Sequence, residues 1–204
     1  MNLFNFIKRA IIAVFFLFTS TAVFAQGNKA VMPVNISIQF LNKSENADFI
    51  LYNVNNELAI EDFKGKPDMS SEGVGATFSG IQMSFDGQSS NGIMNIKVYL
   101  MTYFDRSKSW MKPEGKDERV LKHEQIHFDL TAIYACKMYQ EISKGTFDSK
   151  NVKQKLHEIH DRLTAALQLQ QEAYDKETKH GTIAEAQKAW SEKVAKEKAS
   201  FTCM

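Results

Sequence analysis

The segment His123-Glu124-Gln125-Ile126-His127 has the residue types and spacing of a metal site. Histidines four positions apart lie on the same side of a helix, about 40° apart around its axis, so both imidazoles can bind one metal ion. The glutamate between them then lies beside the metal, where it can accept a proton from a zinc-bound water. The spacing therefore predicts a zinc site with His123 and His127 as ligands and Glu124 as the general base.

The helix that carries this segment is predicted over residues 117–143, with Asp117 as its N-cap. Apolar side chains cover most of its circumference, and Glu124 falls between Val120 and Phe128 on the apolar side. An unpaired carboxylate is costly to bury there, and a metal ion or its water would remove that cost. The alternative interpretation is a pair of hydrogen-bonded core histidines beside an incidental glutamate.

A catalytic zinc ion usually takes three protein ligands and keeps one position for water, so a third ligand must come from elsewhere. His180 is preferred, because it lies in a predicted junction between two helices, residues 174–181, and is followed by a glycine that permits close backbone approach. The alternatives are Asp175 and Glu177 in the same junction, followed by His157 and His160 on the second helix. For His157 and His160, a position on the solvent-exposed face of that helix is the better interpretation.

The order of elements along the chain predicts an α+β fold, with strands first and helices after. Short alternating apolar runs between residues 34 and 104, separated by glycines, predict a mixed or antiparallel sheet. Three helices should follow: residues 117–143, residues 148–174, and a third that begins at a capping box formed by Thr182 and Glu185.

Residues 95–104 are a candidate edge strand, because enzymes that cleave peptides beside a zinc helix commonly hold the substrate backbone by strand addition. A plain core strand is the alternative for the same residues.

The first 25 residues predict a secretory signal peptide cleaved after Ala25, because Lys8 and Arg9 precede a short apolar run. No stable membrane anchor is expected after cleavage, since that run is short for a bilayer span and no cysteine at the cleavage point could accept a lipid. Residues 26–204 are then expected to form one exported domain, periplasmic or secreted. The balance of 25 basic and 24 acidic residues disfavours nucleic-acid binding.

Export permits a disulfide between Cys136 and Cys203, the two cysteines of the chain, and two free thiols are the alternative. Cys136 falls on the polar stripe of the first helix together with Gln125 and Asp129, so the sequence places it close to the surface.

Beyond the five-residue zinc motif, the chain carries a longer pattern: Ser109-Trp110, Leu121 to Asp129, Tyr174-Asp175, Thr178, His180-Gly181, Gln187 and Trp190. This combination resembles the bacterial domain-of-unknown-function 922 (DUF922) family, described as predicted secreted zinc-dependent proteases, over about residues 59–194. The resemblance implies a zincin-like fold, His123 and His127 as zinc ligands, Glu124 as the catalytic acid/base, and a role for residues 174–181.

The resulting hypothesis is an exported zinc-dependent metallohydrolase that acts on a peptide or protein substrate. Zn²⁺ on His123, His127 and His180 would polarise the scissile carbonyl, while Glu124 accepts the water proton and passes it to the leaving amine. Tyr174 either donates to the oxyanion or packs beside the site, and packing is slightly preferred.

Two other functions remain open at this point. The first is a non-catalytic exported binding protein of the envelope, with a structural zinc or no metal. The second keeps the metal chemistry but hydrolyses cell-wall crosslinks or other amides. A fourth protein ligand would favour the binding protein, whereas an open water position would favour hydrolysis.

Overall fold

The computed structural model describes residues 30–55, 57–200 and 203, so the predicted signal peptide lies outside the described residues. Six strands precede three helices, which confirms the α+β prediction. The strands are β1 (Val34–Phe40), β2 (Phe49–Leu51), β3 (Gly75–Ala76), β4 (Ser79–Ser90), β5 (Ile93–Asp105) and β6 (Trp110–Met111). The helices are α1 (Glu118–Lys144), α2 (Val152–Thr178) and α3 (Ala184–Ala199). Within the described part of the chain, no helix is both long and apolar enough to cross a membrane.

β5 is the central strand of a four-stranded mixed sheet. Along one side it pairs antiparallel with β4 through the turn Asn91-Gly92, whose φ angles of 52° and 76° fit the type I′ turn of a tight hairpin. Along its other side it pairs with β1 in parallel and with β2 antiparallel. The edge-strand candidate for residues 95–104 is therefore wrong and the core-strand alternative is confirmed, because neighbours cover this strand on both sides.

α1 lies between the sheet and the other two helices and carries much of the core. Its N-cap is Asp117, as predicted, since the Asp117 carboxylate accepts a hydrogen bond from the Val120 amide at 2.8 Å. The apolar circumference seen in the sequence reflects this position, because burial on several sides requires apolar residues on several faces. The largest fully buried side chains on α1 are Phe128, Leu130, Ile133, Met138 and Ile142.

The second helix ends at Thr178, beyond the predicted end at Tyr174. No proline or glycine interrupts it, and the Thr178 hydroxyl donates to the Tyr174 carbonyl at 2.7 Å inside the last turn. The backbone leaves the helix only where Lys179 and His180 take left-handed φ angles of 46° and 52°. Residues 174–178, predicted as part of a junction, are therefore helical.

The capping box predicted at the start of the third helix is absent. The N-cap of α3 is Ile183, which makes no side-chain cap hydrogen bond. The Thr182 hydroxyl donates instead to the Lys179 carbonyl at 2.7 Å, closing the turn between the two helices. This local hydrogen bond competes with the capping arrangement for the same hydroxyl.

Cys136 and Cys203 form a disulfide, with their Cα atoms 5.8 Å apart. Cys136 is buried, so its predicted position close to the surface is wrong. Asp129 of the same polar stripe is buried as well: it accepts a hydrogen bond from the Tyr52 hydroxyl at 3.0 Å and a charged one from Lys198 of α3 at 2.8 Å. The disulfide and this ion pair both join α1 to the C-terminal part of the chain.

Candidate metal centre

His123 and His127 lie one turn apart on the buried face of α1, with ring centroids 5.0 Å apart. The Nδ1 atom of His123 is 3.1 Å from Oε1 of Gln187, and the Nδ1 atom of His127 is 2.6 Å from Oε1 of Gln171. The two Nε2 atoms converge, since each lies 3.0 Å from Oδ1 of Asp175. Three helices therefore supply this centre, with α1 giving the histidines and α2 and α3 giving their partners.

His123, His127 and Asp175 each offer one ligand atom, and these atoms all lie within 4.8 Å of one another. Ligand atoms that share a tetrahedral zinc ion are about 3.4 Å apart, so the observed spacing fits with small adjustments. With the Gln171 and Gln187 carboxamides oriented as they are in the structure, both nitrogens of each buried ring face an oxygen acceptor, so filling all four contacts with protons would require two buried imidazolium ions. A cation between the Nε2 atoms and the carboxylate removes that requirement, and the donor set therefore fits a metal ion.

The electrostatics of the centre keep Asp175 ionised. Burial raises the pKa of the Asp175 carboxyl, but the hydrogen bonds from His123 and His127 and their positive charge outweigh it and hold this pKa well below its usual range. Burial lowers the pKa of His127, yet the hydrogen bond to Asp175 and the nearby Glu124 charge outweigh it and raise this pKa above its usual value. The three side chains thus favour positive charge at the point where they meet.

Glu124 is buried at 2% exposure beside these donors. Its Oε2 atom has no hydrogen-bond partner among the residues that the structure describes. An ideal Cβ atom built on Gly75 would lie only 2.6 Å from the Oε1 atom of Glu124, so the carboxylate occupies space that the missing side chain leaves free. Because a buried carboxylate oxygen without a partner is costly, its position is explained if a water or a substrate group binds beside it.

The structure brings Asp175, rather than the preferred His180, into the group with the two histidines. The reason is the extra turn of α2, which places Asp175 one helical turn after Gln171 on the side that faces α1. His180 lies after the helix, where its Nδ1 atom is 3.5 Å from Oδ1 of Asp175 and its side chain is half exposed. A role of His180 as a ligand stays a prediction.

The other predicted alternatives lie outside this centre. Glu177 accepts a hydrogen bond from the indole of Trp190 at 2.8 Å. His157 contacts the ring of Phe85, and His160 lies 3.0 Å from the Asp161 carboxylate.

Tyr174 is completely buried and stacks on His123, with ring centroids 4.5 Å apart. Its hydroxyl donates to the His123 carbonyl at 3.3 Å and accepts from the Gln187 amide at 2.8 Å. Burial raises the pKa of this phenol above its usual value, so the hydroxyl keeps its proton. This arrangement supports the packing role preferred from the sequence.

Gln171 and Gln187 were not among the predicted site residues. Gln187 appears in the longer sequence pattern, but without an assigned role. The sequence alone gives no reason to assign Gln171 a role in the site. Only when α2 continues past Tyr174 do Gln171 and Asp175, four residues apart, lie on the same face of one helix.

A cleft of about 390 Å³ opens above the centre. One wall is formed by residues 71–79, which include β3, and the other by the part of α2 around Gln171. The Thr77 hydroxyl donates to the Glu124 carbonyl at 3.2 Å and ties the first wall to α1. Within the described residues, β3 pairs with β6 along one edge, which leaves its second edge for another strand.

Residues 107–181 match the DUF922 family model. This family is described as a bacterial protein of unknown function. The DUF922 segment contains both histidines, Glu124 and Asp175, so the resemblance predicted over about residues 59–194 is confirmed for residues 107–181, while Gln187 of the centre lies beyond the match. No curated protein and no solved structure matches the chain.

Proposed function

We propose that this protein is an exported zinc-dependent hydrolase that cleaves peptide bonds. The observation that carries the proposal is Glu124, a buried carboxylate with an unpartnered Oε2 atom beside the convergent donors of His123, His127 and Asp175. Such a carboxylate has the position required of a general base that acts on a metal-activated water. The three donors would hold a Zn²⁺ ion that supplies a Lewis acid and a water of lowered pKa.

Each residue around the centre has a separate role in the proposed reaction. Glu124 takes a proton from the attacking water and returns it to the leaving amine, so no covalent intermediate with the protein is needed. Gly75 keeps the space for this carboxylate, and Thr77 holds the neighbouring backbone of α1. Tyr174 packs on His123 and fixes the plane of that ring.

A peptide is the substrate best supported by the shape of the cleft. β3 passes beside Glu124 with the Cβ side of Gly75 facing the carboxylate. Within the described residues its second edge pairs with no strand, and an extended peptide can add to such an edge through main-chain hydrogen bonds. β3 therefore takes the role that residues 95–104 were predicted to have. The exposed ring of Phe78 lies in the same wall and offers an apolar contact to a substrate side chain.

The proposed export rests on the predicted signal peptide and on the disulfide. Disulfides persist in oxidising compartments and are rare in the reducing cytosol. The Cys136–Cys203 bridge therefore supports a periplasmic or secreted location for the chain.

The second candidate function is an exported binding protein with a structural zinc ion. His180 favours it, because its Nδ1 atom lies 3.5 Å from the carboxylate oxygen on which the other two histidines converge. If His180 and Asp175 both bind the metal, four protein ligands close the coordination sphere and leave no position for water.

The test is zinc content and peptide hydrolysis measured on the same preparations of mature protein, purified without chelator. We expect about one zinc ion per wild-type chain, much less in Asp175→Ala, and normal content in Glu124→Gln. Glu124→Gln should lower kcat on a peptide library about 10²–10⁴-fold, the usual contribution of a general base. Glu158→Gln is the matched control, since Glu158 lies on α2 and bonds only the exposed Gln154 among the described residues.

The outcomes separate the two candidates. Full hydrolysis by Glu124→Gln would refute the proposed mechanism. Tightly bound zinc in the wild type that is lost in both Asp175→Ala and His180→Ala, without hydrolysis of any peptide, would favour the binding protein.

A further inference from the structure

In both histidines of the centre, a glutamine side chain is the partner of Nδ1, the ring nitrogen that points away from Asp175. Nδ1 of His127 lies 2.6 Å from Oε1 of Gln171, and Nδ1 of His123 lies 3.1 Å from Oε1 of Gln187. A zinc-binding histidine normally passes its second N–H to a carboxylate, a backbone carbonyl or water, and this partner fixes the ring. Here both partners are side-chain carboxamides, which unlike carboxylates can either accept or donate.

We propose that Gln171 and Gln187 are positioning residues that hold both histidines for metal binding and serve the site both with and without its metal. The proposal rests on the proposed zinc site. With Oε1 toward the ring, each glutamine accepts from Nδ1–H, so that Nε2 presents its lone pair to the metal. With the carboxamide rotated by half a turn, the amide donates to Nδ1, and Nε2–H then donates to Asp175.

The surroundings of Gln187 fit both orientations. The Tyr174 hydroxyl lies 2.8 Å from the Nε2 atom of Gln187 and 3.0 Å from its Oε1 atom. A hydroxyl can accept from the amide in one orientation and donate to the carbonyl in the other. Gln187 therefore keeps its hydrogen bonds in both states, whereas a glutamate at this position can only accept.

The experiment measures zinc affinity by competition with a chromogenic chelator, together with ¹⁵N spectra of the histidine rings. Gln171→Ala and Gln187→Ala should each lower zinc affinity about 10–100-fold, the usual effect of removing such a partner. Gln187→Glu should restore the affinity, because it still accepts from Nδ1–H, but should lower the melting temperature of the metal-free protein. In the wild type, the ring proton should move from Nε2 in the metal-free form to Nδ1 in the zinc form.

Gln170→Ala is the matched control. Gln170 neighbours Gln171 on α2 and accepts a hydrogen bond from the Tyr134 hydroxyl of α1 at 2.7 Å, without touching either histidine. It should lower the melting temperature and leave zinc affinity unchanged. Circular dichroism of each variant separates loss of folding from loss of binding.

Three outcomes would overturn the proposal. In the first, folded alanine variants bind zinc as tightly as the wild type. In the second, the ring proton occupies the same nitrogen in both wild-type states. In the third, the wild type binds no zinc, and this outcome also ends the proposed function, whereas the first two leave it standing.

Discussion

Replacing Gly75 by alanine tests the role of Glu124 without touching a metal ligand. The added Cβ atom would lie 2.6 Å from Oε1 of Glu124 and 3.1 Å from Cγ1 of Val120. Ordinary contact requires about 3.4 Å, so the carboxylate must move by roughly 0.8 Å, and a misplacement of this size can cost about 10²-fold in rate. We therefore expect kcat/KM for peptide hydrolysis to fall about 100-fold in Gly75→Ala while the zinc content stays at its wild-type level.

The assay is steady-state hydrolysis of the best substrate found in a peptide library, with zinc measured on the same samples. Gly87→Ala is the matched control, because its Cβ atom would meet only Cδ1 of Ile96, the end of a flexible side chain remote from the centre. Full activity of Gly75→Ala would refute the reasoning, since it would mean that the position of the Glu124 carboxylate does not limit the reaction.

Two further predictions concern the attachment of the C-terminal part of the chain to α1. Reducing the disulfide, whose cysteines are 67 residues apart, should lower the free energy of unfolding by about 4 kcal/mol on the chain-entropy model, measured by urea denaturation with and without reductant. An unchanged midpoint would contradict this. Lys198→Met should cost about 1–3 kcal/mol in the same assay, because it leaves the Oδ2 atom of buried Asp129 without its charged partner. Lys188→Met, which removes an exposed contact to Glu192 on the same helix, should change stability by less than about 1 kcal/mol.

The sequence predicted α1 well because several independent signals agree there. The Asp117 cap, the apolar circumference and the buried position of Glu124 all appear in the structure. The fold class followed from the order of strands and helices, since both patterns depend on local periodicity.

The third member of the donor group could not be derived in this way. Its identity depends on where α2 ends, and helix ends are set by weak local contacts such as the Thr178 hydroxyl bond. A prediction that ends the helix at Tyr174 places Asp175 and His180 in one loop, where the glycine after His180 is the feature that favours His180. Continuing the helix separates the two and turns Asp175 toward α1.

The central position of β5 in the sheet could not be derived from the sequence either. An apolar run predicts a strand, but strand order depends on pairing between residues far apart in sequence. β1 pairs with β5 in parallel across some 60 positions, as shown by the contact between Asn35 and Asn95, and no local signal reports this.

That parallel pairing also sets an order of events for a chain that folds from its N-terminus. β4 and β5 are joined by a two-residue turn and can pair as soon as both exist, within microseconds for an isolated hairpin. β1 comes first in the chain yet has no partner until β5 has emerged, and closing so long a loop into a parallel pair is slow. β1 must therefore remain without its strand partner until the next 60 or so residues have been synthesised.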